Sequence, residues 1–366
     1  MNDFENLFGY SAKASAAAHG RVNLIGEHTD YNGGLVLPTL IPQSTLVDVG
    51  IRNDPVVQVV SVMPDGRKMR AEFELSNAEK HGNWTDYIKG VVAFSRRHQP
   101  SLSGMDILIR SDVPIGAGLS SSAALLVGSA KAMRAAFAID LNDHQLALLA
   151  QRIENEFVGA RVGIMDQMVA SLGVQGKALL LDTADLSTRL IELPLDVMEL
   201  FVINSGITHD IVHGSYQDRR TECEMGARLM GLRWLRDYED AEGISIEQLP
   251  PLLQRRCRHV ITENDRVRAA VEALESRNIR ALGEILKQSH ASMRDDFEVS
   301  LPEIDCLVGI ANSCDGVYGA RLTGGGFGGS IVGISEPSRV STVVTEILQL
   351  YRMQTGRDAK IVVPRG

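Results

Sequence analysis

The side chains best suited to chemistry gather in three glycine-bearing segments. The first reads Gly20-Arg21-Val22-Asn23-Leu24-Ile25-Gly26-Glu27-His28-Thr29-Asp30-Tyr31-Asn32-Gly33-Gly34, a short strand followed by a loop that crowds Glu27, His28 and Asp30 near Arg21. Carboxylates and an imidazole in such a loop match the donor and acceptor pattern of fixed sugar hydroxyls; a solvated polar turn is the plainer alternative. The second reads Pro114-Ile115-Gly116-Ala117-Gly118-Leu119-Ser120-Ser121-Ser122-Ala123 and leads from a strand into a helix. Gly116 and Gly118 permit close backbone approach, the first-turn amides of the helix lack intrahelical partners, and Ser120, Ser121 and Ser122 can bond phosphate oxygens or a magnesium ion. Capping alone needs one serine, so this segment is expected to bind phosphate. No G-x-x-x-x-G-K-[ST] occurs, which excludes a P-loop. The third, Gly324-Gly325-Gly326-Phe327-Gly328-Gly329, satisfies G-x-G-x-x-G but runs into the strand-like Ser330-Ile331-Val332-Gly333-Ile334. That context disfavours a dinucleotide fingerprint and leaves either a backbone platform beside a ligand or a structural hairpin.

Two acids lie outside these segments. Glu154 falls near the end of one expected helix and Asp166 in the first turn of the next, where unpaired amides favour an ionised carboxylate. Taken singly, each reads as a surface residue. His209 and His213 have the spacing of a zinc pair, but Asp210 stands where H-E-x-x-H needs its glutamate, so a metallohydrolase is not expected. Cys223, Cys257, Cys306 and Cys314 form no C-x-x-C pair and fit free thiols in a reducing compartment.

Periodicity locates the strands and helices that carry these groups. Strand-like runs at 22–25, 45–49, 56–62 and 105–109 dominate the first third, interrupted by one helix at 84–97. Helices are expected at 122–137, 142–157 and 163–172, strands at 178–181 and 200–204, and helices at 216–233, 262–277, 279–293 and 302–313. Strands at 317–322, 330–334 and 361–363 close the chain, with a helix between the last two. Strands and helices segregate more than they alternate, which indicates an α+β fold. At 366 residues two domains are expected, divided near the polar stretch 182–193 into 1–185 and 186–366. With 37 basic against 46 acidic residues, a nucleic-acid partner is disfavoured. The acidic start and the absence of a long apolar run point away from export and the membrane, hence to a cytoplasmic protein, and no obligatory protein partner is indicated.

Taken together and in order, Gly20–Tyr31, Pro114–Ala123 and Leu322-Thr323-Gly324-Gly325-Gly326-Phe327-Gly328-Gly329 resemble the motifs of galactokinases, within the sugar and small-metabolite kinases known as GHMP kinases. Asn83-Trp84-Thr85-Asp86-Tyr87, Gly163-Ile164-Met165-Asp166-Gln167 and His290-Ala291-Ser292-Met293-Arg294-Asp295-Asp296-Phe297 extend the resemblance over nearly the whole chain. It implies an amino-terminal domain like ribosomal protein S5 domain 2 and a ferredoxin-like carboxy-terminal domain. It also implies an ATP- and Mg2+-dependent transfer of phosphate to the anomeric hydroxyl of D-galactose, giving α-D-galactose 1-phosphate. By the same resemblance, Asp166 faces that hydroxyl as base or orienting group and Arg21 stands beside it. Ser122 and Glu154 match magnesium ligands; Glu27, His28, Asp30, Gly163 and Tyr216 match sugar contacts; Gly116, Gly118, Ser120, Ser121, Trp84 and Tyr87 fall on the nucleotide side.

The chain departs from the family pattern at His19, Val162 and Leu126, none of which removes a catalytic group, and at Ser205-Gly206-Ile207-Thr208-His209-Asp210-Ile211-Val212-His213-Gly214 ahead of Tyr216. The resemblance therefore carries phosphotransfer more directly than the identity of the sugar. L-Arabinose, galacturonate or an amino sugar as substrate, or a non-catalytic galactose and ATP sensor, are the alternatives.

Overall fold

The computed structural model describes residues 3–77, 79–207, 213–240 and 245–364. Up to residue 172 the elements are α1 (Asp3–Phe8), β1 (Ala14–Asn23), β2 (Leu35–Val36), β3 (Pro38–Ile51), β4 (Val56–Val62), β5 (Lys68–Glu74), α2 (Thr85–His98), β6 (Met105–Ser111), α3 (Ser121–Phe137), α4 (Asp143–Arg152) and α5 (Met165–Leu172). A π turn over Ile153–Val158 continues α4. Beyond it follow β7 (Lys177–Asp182), β8 (Thr188–Glu192), β9 (Glu199–Asn204), α6 (His213–Leu229), α7 (Pro251–Glu275), α8 (Ile279–Asp295), α9 (Pro302–Ser313), β10 (Val317–Thr323), β11 (Ser330–Ser335), α10 (Val340–Thr355) and β12 (Lys360–Val363). The architecture is mixed α+β, as the segregation of patterns predicts.

These elements form two units. The first holds the chain up to Arg21, Ile41–Pro114 and Ser120–Leu172; the second holds Val22–Leu40, Ile115–Leu119 and the chain from Gly173 on. This division differs from a cut between 185 and 186. The 182–193 stretch belongs to a hairpin in which β7 and β8 pair from Lys177↔Glu192 to Leu181↔Thr188. Its polarity reflects the exposed face of β8 rather than a linker.

In the first unit β6 pairs antiparallel with β3 and parallel with β4, and β4 forms a hairpin with β5. Period-two alternation gives this sheet two apolar faces. Val57, Val59, Ile107 and Ile109 pack with Ile88, Val91 and Val92 of α2 and with Leu126 and Val127 of α3. Their neighbours Val60 and Leu108 face the other way and cluster with Phe4 of α1.

In the second unit an antiparallel sheet runs β10-β11-β9-β12. Phe201, Ile203, Leu322 and Ile331 from its strands share a core with Val260 of α7, Met293 of α8, Leu307 of α9 and Ile347 of α10. Arg256 of α7 is buried in this unit, bonded to Glu222, Glu298 and the Asp296 carbonyl. Such a charge inside the run hid the first half of α7 from periodicity, which predicts a start at 262 instead of Pro251. The chargeable alternation of β5 likewise conceals a half-solvated edge strand. His209 and residues 210–212, part of the rejected zinc spacing, lie outside the described residues. No helix among the described residues is long and apolar enough to cross a membrane.

α8 lies close on β10 because two glycines meet there: a Cβ on Gly283 would stand 2.2 Å from the Tyr318 carbonyl oxygen. Gly283→Ala is expected to cost about 3 kcal/mol through overpacking. Gly309 is exposed inside α9 with open space around its Cα, so Gly309→Ala is expected to stabilise by about 1 kcal/mol. Urea unfolding of the two variants beside the wild type checks both signs.

Candidate active site

In the first unit, the end of β1 and the start of α5 bring Arg21 and Asp166 together. The guanidinium clamps the carboxylate through two bonds, Nε to Oδ1 at 2.8 Å and Nη2 to Oδ2 at 2.9 Å. Arg21 is almost fully buried, whereas Asp166 keeps about a quarter of its side chain exposed at 28%. Fork-to-carboxylate geometry of this kind fixes direction as well as distance.

Ser120 donates its hydroxyl to Oδ2 of the same aspartate. It occupies the N-cap of α3 but makes no side-chain cap, and its backbone is left-handed at φ 60 and ψ 44. A residue with a Cβ is disfavoured in that region. The hydroxyl that would ordinarily close the helix end has instead been turned to Asp166. Ser121 and Ser122 form the first helical positions.

Glu154 sits on the π turn, which ends at left-handed Gly159, and the amides of Gly159 and Ala160 both donate to the Glu154 carbonyl at 2.9 Å. Its side chain is buried and accepts from the Ser122 hydroxyl and from Gln167 Nε2 at 2.7 Å. Burial pushes the carboxyl pKa up, the Ser122 bond draws it back, the Asp166 charge adds to the rise and the Gln167 bond opposes it. Gln167 Oε1 is buried without a partner. A hard divalent cation fits this donor set, because a carboxylate and a hydroxyl leave its other positions to phosphate and water, whose hydrogens can meet Oε1.

Trp84 and Tyr87 are half-buried against the core of this unit. Asn83 Oδ1 accepts the Thr85 amide at 2.9 Å, and Asp86 accepts those of His81 and Gly82, so the turn carrying Trp84 is fixed by its own side chains. Tyr87 is raised in pKa by burial and then by Glu154 and Asp86. Gly163 precedes α5 in a segment held by the Val162 amide on Asn155 Oδ1 at 2.8 Å.

In the second unit the loop after β1 is tied down from within. Thr29 Oγ1 donates to the Gly26 and Leu35 carbonyls, and Asn32 Nδ2 to the His28 carbonyl. Gly26 is required by its φ of 98 and by the Leu35 carbonyl, 2.5 Å from where a Cβ would stand. Glu27 is buried, and its Oε1 accepts from Arg321 Nη2 at 2.5 Å, Thr323 Oγ1 at 3.1 Å and the Gly324 amide at 2.8 Å. His28 is left-handed at φ 63, bonds Tyr31 through Nδ1 at 2.8 Å, and packs against Tyr216 and Phe297. Asp30 opens a short 3-10 turn and remains partly exposed.

The glycine-rich segment joins β10 to β11, which pair from Thr323↔Ser330. The hairpin is tightly packed: Gly324 stands next to the Gly118 backbone, Gly325 against the Tyr216 ring, and Ser330 Oγ donates to the Ala117 carbonyl at 2.8 Å. Gly116 and Gly118 both have φ of 73.

Both domains that make up a GHMP kinase are matched along this chain. The amino-terminal domain of GHMP kinases matches residues 86–174 and their carboxy-terminal domain residues 270–352. A solved mevalonate kinase from Methanococcus jannaschii, 16% identical, shares the fold with a TM-score of 0.68 over 95% of this chain and 96% of that one.

More narrowly, the galactokinase galactose-binding signature matches residues 2–50. A galactokinase of Roseiflexus sp. (strain RS-1) is 43% identical over 370 residues, covering 99% of this chain and 94% of that protein. The structure of Lactococcus lactis galactokinase complexed with galactose is 31% identical, with a TM-score of 0.88 over 98% of this chain and 95% of that one. The chain belongs to the galactokinase family.

Sequence reasoning missed Gln167, Arg321, Glu263 and His259. Gln167 follows Asp166 within a motif already singled out, and Arg321 directly precedes Leu322, where the third galactokinase-like motif begins. Glu263 and His259 carry no signal beyond one face of a long helix.

Two expectations follow. Burial pushes His28 down to about 3, with help from His259 and Arg219, and pushes His259 down to about 4. Unfolded histidines bind a proton near pH 6.5 while these do not, so their stability contribution is complete above pH 6.5 and is lost as pH falls. Urea unfolding at pH 7, 6 and 5 should show a decline of up to about 1.4 kcal/mol per pH unit for each histidine, shallower in His259→Gln. At the left-handed position, Ser120→Gly should be more stable than Ser120→Ala by about 1 kcal/mol, although both lose the same hydroxyl.

Proposed function

We propose that this protein transfers the γ-phosphoryl group of ATP to the anomeric hydroxyl of D-galactose, giving α-D-galactose 1-phosphate and ADP. The observation that carries the reading is the bidentate Arg21–Asp166 pair with the Ser120 hydroxyl on the same carboxylate. Phosphoryl transfer asks a protein chiefly to align the attacking oxygen and to balance charge on the transferring group. Asp166 orients the sugar hydroxyl and takes its proton as the new bond forms, its direction set by Arg21. The guanidinium also supplies positive charge to the transferring group.

Glu27, His28, Asp30, Gly163 and Tyr216 bind the sugar in this reading. Oε1 of Glu27 is already committed, so Oε2 meets a sugar hydroxyl, and the neutral His28 serves as a hydrogen-bond partner rather than as a charge. Gly116, Gly118, Ser120, Ser121 and Ser122 cradle phosphate, with Trp84 and Tyr87 towards the base. Ser122 and Glu154 would hold Mg2+, which when bound would offset the negative charge of the phosphate groups. Four free thiols suit a cytoplasmic setting, where ATP is available.

The test is Mg-ATP-dependent ADP release across D-galactose, D-glucose, 2-deoxygalactose, L-arabinose, galacturonate and N-acetylgalactosamine. Galactose is expected to lead the panel, and Asp166→Asn to lower its kcat by about 10²–10⁴-fold. Turnover of another sugar alone would reassign the substrate and direct attention to the divergent sequence at 205–214. Binding of galactose and ATP without ADP formation would make the protein a sensor. Chelation by EDTA should abolish turnover and added Mg2+ restore it, while Glu154→Gln should raise the Mg2+ concentration needed for half-maximal rate about tenfold.

A further inference from the structure

Within the second unit, α7 and β10 hold the two residues at the start of the sugar loop, and α8 backs them. Glu263 of α7 accepts the Gly26 amide at 3.0 Å, and His259 of the same helix donates Nε2–H to the Glu27 carbonyl at 3.1 Å. From β10, Arg321 and Thr323 hold the Glu27 carboxylate. Arg321 is completely buried and lies between two carboxylates, with Nη2 on Glu27 and Nη1 3.8 Å from Glu263 Oε1. Ser289 of α8 closes the gap: its Oγ donates to Glu263 at 2.7 Å and lies 3.1 Å from Arg321 Nη1. Arg266 pairs with the other oxygen of Glu263 at 2.6 Å, so two buried acids face two cations. Burial alone would raise the Glu263 carboxyl; Arg266, His259 and Arg321 bring it down to about 2.

We infer that Arg321, backed by Glu263 and Ser289, is a positioning residue that sets sugar affinity and selectivity by locking Glu27 and the strained step to His28. This rests on the reading of Glu27 and His28 as sugar contacts. Arg321 occupies Oε1 of Glu27 and so decides which carboxylate oxygen is presented. By holding the carboxylate while His259 holds the carbonyl, the cluster leaves residue 28 little freedom to relax from its left-handed conformation. A lysine at 321 keeps the charge but, as a point donor, cannot hold Glu27 and reach Ser289 at once. The partners named for Arg321, Glu263 and Ser289 lie in the sugar loop, α7, α8 and β10, so the nucleotide side is not expected to respond.

The experiment measures KM for sugar and for ATP, kcat, and the ratio of galactose to 2-deoxygalactose kcat/KM in the wild type, Arg321→Lys, Glu263→Gln and Ser289→Ala. The sugar is whichever member of the panel the wild type turns over, so failure of galactose as substrate is separate from failure of this inference. If the wild type turns over none, sugar Kd by calorimetry replaces KM. Arg321→Lys is expected to raise the sugar KM tenfold or more, Glu263→Gln about fivefold and Ser289→Ala about threefold, with the ATP KM within twofold and a changed sugar ratio. If Arg321→Lys does not fold, Ser289→Ala, which removes a single hydroxyl, carries the test. Folded variants whose sugar KM and selectivity stay within twofold, with only Tm lowered, would overturn the inference and reduce the cluster to a structural one. A wild type that neither turns over nor binds any sugar would overturn both readings.

Discussion

A carboxylate taken out of water must be answered by charge or by hydrogen bonds, and Glu27 is the place where that demand organises the second unit. Dehydrating one such ion costs several kcal/mol even after relaxation. Three donors on a single oxygen meet the cost, and one of them, Arg321, is itself buried and needs a second acid. Glu263 supplies it, Arg266 balances Glu263, and Ser289 fills the remaining gap. The chain of obligations runs from the loop after β1 through β10 to α7 and α8. Those elements are also the ones that share the apolar core, so the polar cluster and the hydrophobic packing specify the same arrangement.

The first unit solves a different problem, that of keeping a partly exposed acid aimed. Asp166 is near enough to the surface to meet a ligand, and rigidity comes from Arg21 and Ser120 rather than from burial. Ser120 shows the exchange involved: a helix gives up its side-chain cap and accepts a left-handed residue so that a hydroxyl reaches the aspartate. Local stability is reduced at that point, a pattern common to sites whose geometry is fixed by their surroundings.

Much of this was legible in the sequence because the relevant groups lie on short, glycine-punctuated segments. Arg21, Glu27, His28, Asp30 and the serines could be picked out by type and spacing, and the switch from strand to helix after Pro114 but not after Gly329 separated the two glycine motifs correctly. What stayed hidden depends on long-range pairing. Arg321 is an arginine in an apolar strand and Glu263 an acid on a helix 58 residues earlier, and only the fold shows that each is the reason for the other. The same holds for Arg256, whose partners come from α6 and from the turn after α8, and for β5, whose charged alternation reads as loop until its pairing with β4 is seen. The domain division was obscured for a related reason: residues 22–40 and 115–119 fold with the later chain, a fact no local composition records.

The π turn at Ile153–Val158 carries a consequence for how this lineage can vary. A π turn holds one residue more than the α-helical turn it interrupts, and successive helical residues are about 100° apart. Deleting Ile153 would restore an ordinary helical turn there and rotate Glu154 by about that angle relative to α4. Glu154 would lose its alignment with Ser122 even though every named side chain remained in the sequence. The number of residues in this segment is thus constrained independently of their identity. A one-codon deletion there is the change to look for in descendants that keep the signature residues but have given up phosphotransfer.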